Sequence, residues 1–275
     1  MLRSMMIVAS CFITLLGVVP APAAGNGEVY SSIMREKTVR VGISMDYPPL
    51  NFNAGAKGAE IEMIHHFGEF LGVRVVLVPL EVEEYAAAIK ARRVDMVIAG
   101  FSRNLERGRV IWFSKPYISV TPGILADNRS IPQTRFGEQF EQTPISSIWD
   151  LKRLPTFRFA VKKGSSYQHL LETTFPDMRR VIVVSNGEGL DLLGKGAVDG
   201  FVHDSLYLEY LYGNSAKLRN AYVLLKGGGR FEHLCIGLPF GDVILKNQVD
   251  MFIDEITRLG LVEEWLKKYS AESRK

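Results

Sequence analysis

The sequence predicts an α/β protein built as two lobes, and three observations carry that prediction. Apolar runs with the period of a strand alternate with segments of helical period from Thr38 to Gly100. A polar stretch without periodicity, residues 128–143, then interrupts the alternation, which restarts and runs on to Asp204. A chain of 275 residues is long enough to give two such units cores of their own.

The elements follow in order. "TVRVGIS" alternates as a strand and stops at "MDYPPLNF", where Pro48 and Pro49 enforce a loop. In "EIEMIHHFGEFLG" the residues Ile61, Ile64, Phe67 and Phe70 fall near helical spacing, and Gly72 supplies the stop. "VRVVLVPL" predicts a strand, "EVEEYAAAIKARR" a helix, and "VDMVIAG" a third strand. Beyond the polar stretch, "FRFAVKKGS", "SYQHLLETTF", "RRVIVVSN", "EGLDLLGKGA" and "VDGFVHD" repeat strand and helix, with no residue-level repeat of the first unit. "FEHLCIGLPF" is a further strand, and helices are expected over 242–259 and 261–269. Such alternation predicts mainly parallel sheets, with a ligand cleft between the lobes.

Composition is that of a globular protein, 47% hydrophobic and 23% charged. A net charge of +3, spread along the chain, gives no basis for a nucleic-acid partner. Arg3 precedes the apolar "MMIVASCFITLLGVVP", and "APAAGNG" follows with small residues at Ala21 and Ala23, so residues 1–23 read as a cleaved export signal. "VASC" at Cys11 also has the look of a lipidation box, but the apolar run continues past it. Cleavage would leave Cys235 without a disulfide partner, as a small buried hydrophobe. No His/Cys spacing suits a metal, and no cofactor is expected. "SNGEGLDLLGKG" imitates a dinucleotide fingerprint at Gly187 and Gly189, but Leu192 stands where the third glycine belongs.

The stretch "DMVIAGFSRNLERGRVIWFSKPY" brings Arg103, Arg107 and Arg109 to the end of an apolar run. A helix beginning at Asn104 would direct its first amides at a ligand, and Arg107 could clamp a carboxylate through two N–H groups. Together, "VRVGISMDYPPLNF", "GAEIEM" and "VDMVIAGFSRNLERGRVIWFSKPY" resemble the polar amino-acid-binding proteins of ABC transporters, the periplasmic family 3 solute-binding proteins. The resemblance resumes at "WDLKRLPTFRFAVKKGSS", "GKGAVDGFVHD" and "EWLKKY", and so covers nearly the whole chain after the leader.

The resemblance implies a type II periplasmic binding protein fold, with residues 28–122 and 232–275 in the first lobe and 123–231 in the second. It implies that Arg107 takes the ligand's α-carboxylate, aided by Gly100 and Ser102, and that Asp204 takes the α-ammonium, although Asp204 also reads as a helix N-cap. Tyr47 matches a ligand-stacking aromatic, with a buried core tyrosine as the alternative. Ser165 and Ser166 match a donor loop of the second lobe, and Tyr85 stands on the cleft wall. Asp199 reads as structural, and Ala59 replaces the family's usual phenylalanine. The implied protein is a periplasmic monomer that delivers an amino acid to a membrane permease. Arg103, Lys162, Lys163 and His203 near the cleft favour a polar or acidic ligand over lysine or arginine. The alternative is a secreted cyclohexadienyl or arogenate dehydratase on the same fold. The catalytic glutamate of those enzymes aligns with Gln168, which cannot act as an acid.

Overall fold

The computed structural model describes residues 27–53, 55–132 and 144–272. The expected leader, with Cys11, and most of the polar stretch lie outside them. The first unit runs α1 (Glu28–Glu36), β1 (Thr38–Ile43), α2 (Ala59–Leu71), β2 (Arg74–Pro79), α3 (Tyr85–Lys90), β3 (Met96–Val97) and β4 (Trp112–Val120). The second runs β5 (Pro122–Asp127), β6 (Phe159–Lys162), α4 (Ser166–Thr174), β7 (Arg180–Val183), α5 (Asn186–Gly194), β8 (Gly200–Asp204), α6 (Ser205–Asn214), α7 (Ala216–Ala221) and β9 (Tyr222–Lys226). The chain then returns to the first unit with β10 (Glu232–Leu238), α8 (Val243–Arg258) and α9 (Leu261–Glu272).

Two five-stranded sheets result, ordered β2-β1-β3-β10-β4 and β7-β6-β8-β5-β9. Each is parallel over its first three strands and antiparallel over the rest, so the sheets are mixed. The chain crosses between them at Thr121 and again over residues 227–231. Pro122 already pairs with Asp204 in the second sheet. β5 and β8 are buried at every residue, as central strands covered on both faces are. Phe67, Ile64, Met96 and Ile236 are fully buried in the first core, and Phe159, Val161, Leu171 and Ile124 in the second.

Two expectations were too long. The helix foreseen over 81–93 is a 3-10 turn, Val82–Glu84, followed by the short α3. The strand foreseen over 94–100 forms a ladder only at Met96–Val97, although Val94 to Ala99 are all buried. Gly100, with φ +60°, then turns the chain away.

The structure also shows an internal repeat at residue level that the sequence pattern hides. Near the head of β1, Arg40 donates its amide (2.8 Å), Nε (3.1 Å) and Nη2 (2.7 Å) to the Asp95 carboxylate. Just before β6, Arg158 makes the same three bonds to Asp199, at 2.8, 2.9 and 2.9 Å. In both lobes the aspartate amide donates back to the arginine carbonyl at 2.8 Å. Each clamp fixes the start of one strand to the turn that begins the next. Asp199 gains a further bond from Ser130, 2.9 Å, and these partners hold its carboxyl below the usual range against the opposing effect of burial. Its role is structural.

Asp95→Ala and Asp199→Ala should therefore each lower stability by about 1–3 kcal/mol, read from the denaturant midpoint. Equal midpoints for wild type and variants would show that the clamps are ornamental.

Candidate functional site

The site is assembled from the ends of strands in both lobes. In the first, Glu60 at the start of α2 is fully buried. Its carboxylate accepts from the Gly100 amide (2.7 Å), from the Tyr117 hydroxyl and from the Asn51 amide. Burial raises its pKa from 4.5 to about 7, although all three donors oppose the rise. Gly100, held in this way, forms the floor under Tyr47, because a Cβ at residue 100 would lie 1.9 Å from that ring. The Tyr47 hydroxyl in turn reaches across and donates to Asp204 of the second lobe.

Asp204 is wholly buried. Besides Tyr47 it receives the Tyr207 amide (2.8 Å), as the N-cap of α6, and lies 2.7 Å from His203 Nδ1. Burial works against its ionisation, yet His203, Tyr47 and the Tyr207 amide together hold its carboxyl below the usual range. The N-cap reading of Asp204 is thus seen directly, and its carboxylate lies buried behind the cleft.

The cleft between the lobes is partly open to solvent and has a cavity volume of about 60 Å³. Tyr47, Tyr85, Gly100, Ser102, Arg107, Ser165 and Ser166 all line it. Asp204 does not reach the wall, since Tyr47 and His203 stand in front of it. Arg107 lies 4.7 Å over the Phe101 ring and donates to the carbonyls of Ser102 (2.7 Å) and of Gly164 in the opposite lobe (2.9 Å). Burial lowers its pKa, and the nearby Glu232 carboxylate partly restores it.

No helix begins at Asn104. The segment contains a single 3-10 turn, Arg107–Arg109, capped by Asn104 Oδ1 accepting from the Arg107 amide at 2.8 Å. With β4 starting at Trp112 there is no length for more, and the side chain of Arg107 rather than a helix terminus presents the positive charge. The serine hydroxyls are also committed. Ser165 caps α4 and donates to the Lys162 carbonyl at 2.7 Å. Ser102 and Ser166, from opposite lobes, each donate to Glu232 Oε2 at 2.6 Å.

Of the cations expected near the ligand, Lys162 lines the cleft but pairs with Glu81 (3.0 Å), and Lys163 faces Glu83 (3.7 Å) outside it. Arg103 is exposed and away from the wall. Gln168 also lies off the wall. It accepts from the Gly164 amide and donates to Glu172, both at 2.9 Å, while its neighbour Tyr167 faces the cleft. Cys235 is buried, and burial pushes its thiol up to about 12. Among the described residues no group of three or more His, Cys, Asp or Glu could hold a metal ion, and no helix is long and apolar enough to cross a membrane.

Residues 39–272 match the bacterial extracellular solute-binding proteins, family 3. The chain belongs to that family. Among its relatives is the cyclohexadienyl dehydratase of Pseudomonas aeruginosa, 31% identical over 121 residues, which are 42% of this chain and 44% of that one. The chain thus spans less than half the length of that relative. An ancestral amino acid-binding protein described as a precursor of cyclohexadienyl dehydratase superposes with a TM-score of 0.73 at 24% identity, covering 87% of this chain and 97% of its own. The amino acid ABC transporter substrate-binding protein AbpA of Streptococcus pneumoniae, bound to L-arginine, gives 0.76 at 17% identity, covering 89% and 99%. At these identities the two structures show the shared family 3 fold.

Four contributors escaped the sequence reading: Glu60, Asn186, Asp46 and Glu232. Glu60 stood in plain view inside "GAEIEM", where an acid on the apolar side of a helix is the signal. Asn186 was hidden in the discounted glycine run. Its Nδ2 donates to the Asp46 carbonyl (3.2 Å) across the cleft. Glu232 opens an otherwise apolar strand, and nothing local marks it.

Glu60 holds its proton more tightly folded than unfolded. Its contribution is fully present below about pH 4.5 and lost as pH rises through about 7. Unfolding free energy should fall by about 3 kcal/mol across that window, and Glu60→Gln should flatten the slope; an unchanged slope would place the titration elsewhere. Gly100→Ala should displace Tyr47 and so alter its near-ultraviolet circular dichroism, with a loss of at least about 2 kcal/mol of stability.

Proposed function

We propose that this extracellular solute-binding protein captures a polar amino acid between its lobes and delivers it to the membrane permease of an ABC transporter. One observation carries the reading. Arg107 makes no ion pair among the described residues, whereas Lys162 and Lys163 each face a glutamate and His203 faces Asp204. A partly buried guanidinium with no carboxylate in ion-pair contact, and only the nearby Glu232 acting on it from a distance, is a receptor for a ligand carboxylate. Asp204 supplies the opposite charge for the ammonium end, through or in place of the Tyr47 hydroxyl that covers it. With the lysines neutralised at home, no spare cation remains for a second carboxylate, which favours a neutral polar side chain over an acidic one. The amino-acid-binding relatives support this reading, and the leader at 1–23 fits export of a monomer to the periplasm.

The lobes, divided near residues 122 and 232, are proposed to hinge there and to close on the ligand. Cross-lobe bonds such as Arg107 to Gly164 and Lys162 to Glu81 support this reading. Solution scattering with a saturating amino acid should show a smaller radius of gyration; an unchanged radius would argue against closure. Calorimetric titration should show Arg107→Ala losing about 2–5 kcal/mol of binding, with Arg109→Ala near wild type. Wild-type affinity in Arg107→Ala would move the carboxylate site elsewhere.

A second reading, dehydration of prephenate or arogenate, draws on the likeness to the Pseudomonas aeruginosa enzyme. Against it, Gln168 has no proton to give, and burial raises the Tyr167 hydroxyl well above 10. Incubation with prephenate separates the two readings, and turnover would favour the enzyme.

A further inference from the structure

Four buried side-chain polar atoms lack a hydrogen-bond partner among the described residues, and two of them, Asn186 Oδ1 and Tyr167 Oη, belong to residues that line the cleft. Both residues are more than nine-tenths buried, at 5% and 4% exposure, and both come from the second lobe. A buried polar atom without a partner is costly. Folds retain such atoms where something else completes them.

The chemistry of each atom is defined by its surroundings. The amide nitrogen of Asn186 is spent on the Asp46 carbonyl, which fixes the orientation of the group and leaves Oδ1 as a pure acceptor. It is completed by an N–H or O–H, whether of a ligand or of a water that a ligand would displace. Tyr167 keeps both a proton and lone pairs. Its ring stands 5.8 Å from that of His203; Asp204 acts on it by charge, and Glu232 by charge and as a neighbouring acceptor already shared by Ser102 and Ser166. Those acids repel a second negative charge at this end of the cleft, and Lys162, the lysine on the wall, is already paired with Glu81.

We propose that Asn186 and Tyr167 read the side chain of the bound amino acid, and that they select a neutral group able both to donate and to accept, a carboxamide or a hydroxyl. This rests on the amino-acid reading given above. An acidic side chain would set an acceptor against the acceptor of Asn186, and an apolar one would leave both atoms uncompleted in a dry cleft. Rejection of a ligand lacking the needed group is the stronger of the two effects, because the site's own polar atoms are then stranded.

The test is a titration of the full-length mature protein with L-glutamine, L-asparagine, L-serine, L-threonine, L-glutamate, L-aspartate, L-arginine and L-leucine. One of the first four should bind at least about tenfold more tightly than the rest. Tyr167→Phe removes a hydroxyl whose one side-chain neighbour is the Glu232 carboxylate, already supplied by Ser102 and Ser166, so its melting temperature should stay close to that of wild type. Its affinity for the preferred ligand should nonetheless fall about tenfold. Asn186→Leu should shrink the preference over L-leucine, a ratio that a merely structural asparagine would leave alone. If none of the eight binds wild type, the amino-acid reading fails and takes this one with it. If wild type binds an amino acid but prefers an acidic, cationic or apolar one, or if both variants keep its selectivity, this inference alone is overturned.

Discussion

A carboxylate removed from water must be given donors, and Glu60 is the group around which the first lobe meets that demand. Its three donors come from the Asn51 turn, from Gly100 and from β4, so a single side chain ties together three segments distant in sequence. From it a chain of contacts crosses the cleft. Glu60 holds Gly100, Gly100 makes room for Tyr47, and Tyr47 reaches Asp204, which caps α6 of the opposite lobe. Two buried acids thus terminate one path, and the aromatic ring between them forms a wall of the ligand cleft.

The electrostatics of the cleft are set by subtraction. Lys162, Lys163 and His203 stand near it and are each answered by an acid of the protein itself. The exposed pair Lys163–Glu83 is worth little in water, but pairing still removes a cation from the ligand's reach. Arg107 remains, wedged over Phe101 and bonded only to main-chain carbonyls on both sides of the cleft. Glu232, at the return from the second sheet to the first, collects one serine from each lobe. Glu232 and Ser102 belong to the first lobe and Ser166 to the second, so this one carboxylate oxygen links the two.

Much of this was legible beforehand, and the failures have physical causes. β1 shows itself through the alternation of Val39 and Val41 with Thr38 and Arg40, β6 and β8 are buried almost throughout, and α2 shows its face through Ile61, Ile64 and Phe67. The segment after Asn104 misled because arginines beside a turn resemble a helix start, and only the nearness of β4 excludes one. The Arg40–Asp95 and Arg158–Asp199 clamps went unseen as a repeat because each joins residues far apart in sequence, with unlike neighbours. Seven of the expected site residues line one cleft, from both lobes, and the eighth, Asp204, lies behind Tyr47.

The sequence by itself determined the α/β alternation, the family and the residue types that could meet a ligand, because periodicity and motif are local properties of the chain. Only the tertiary structure decided which charges remain available. Whether Lys162 is free or paired, whether Asn186 Oδ1 is satisfied or stranded, and whether Asp204 faces the cleft or a tyrosine hydroxyl depend on partners that lie 81, 140 and 157 positions away. Desolvation and pairing act through space, and no local pattern in a chain records them.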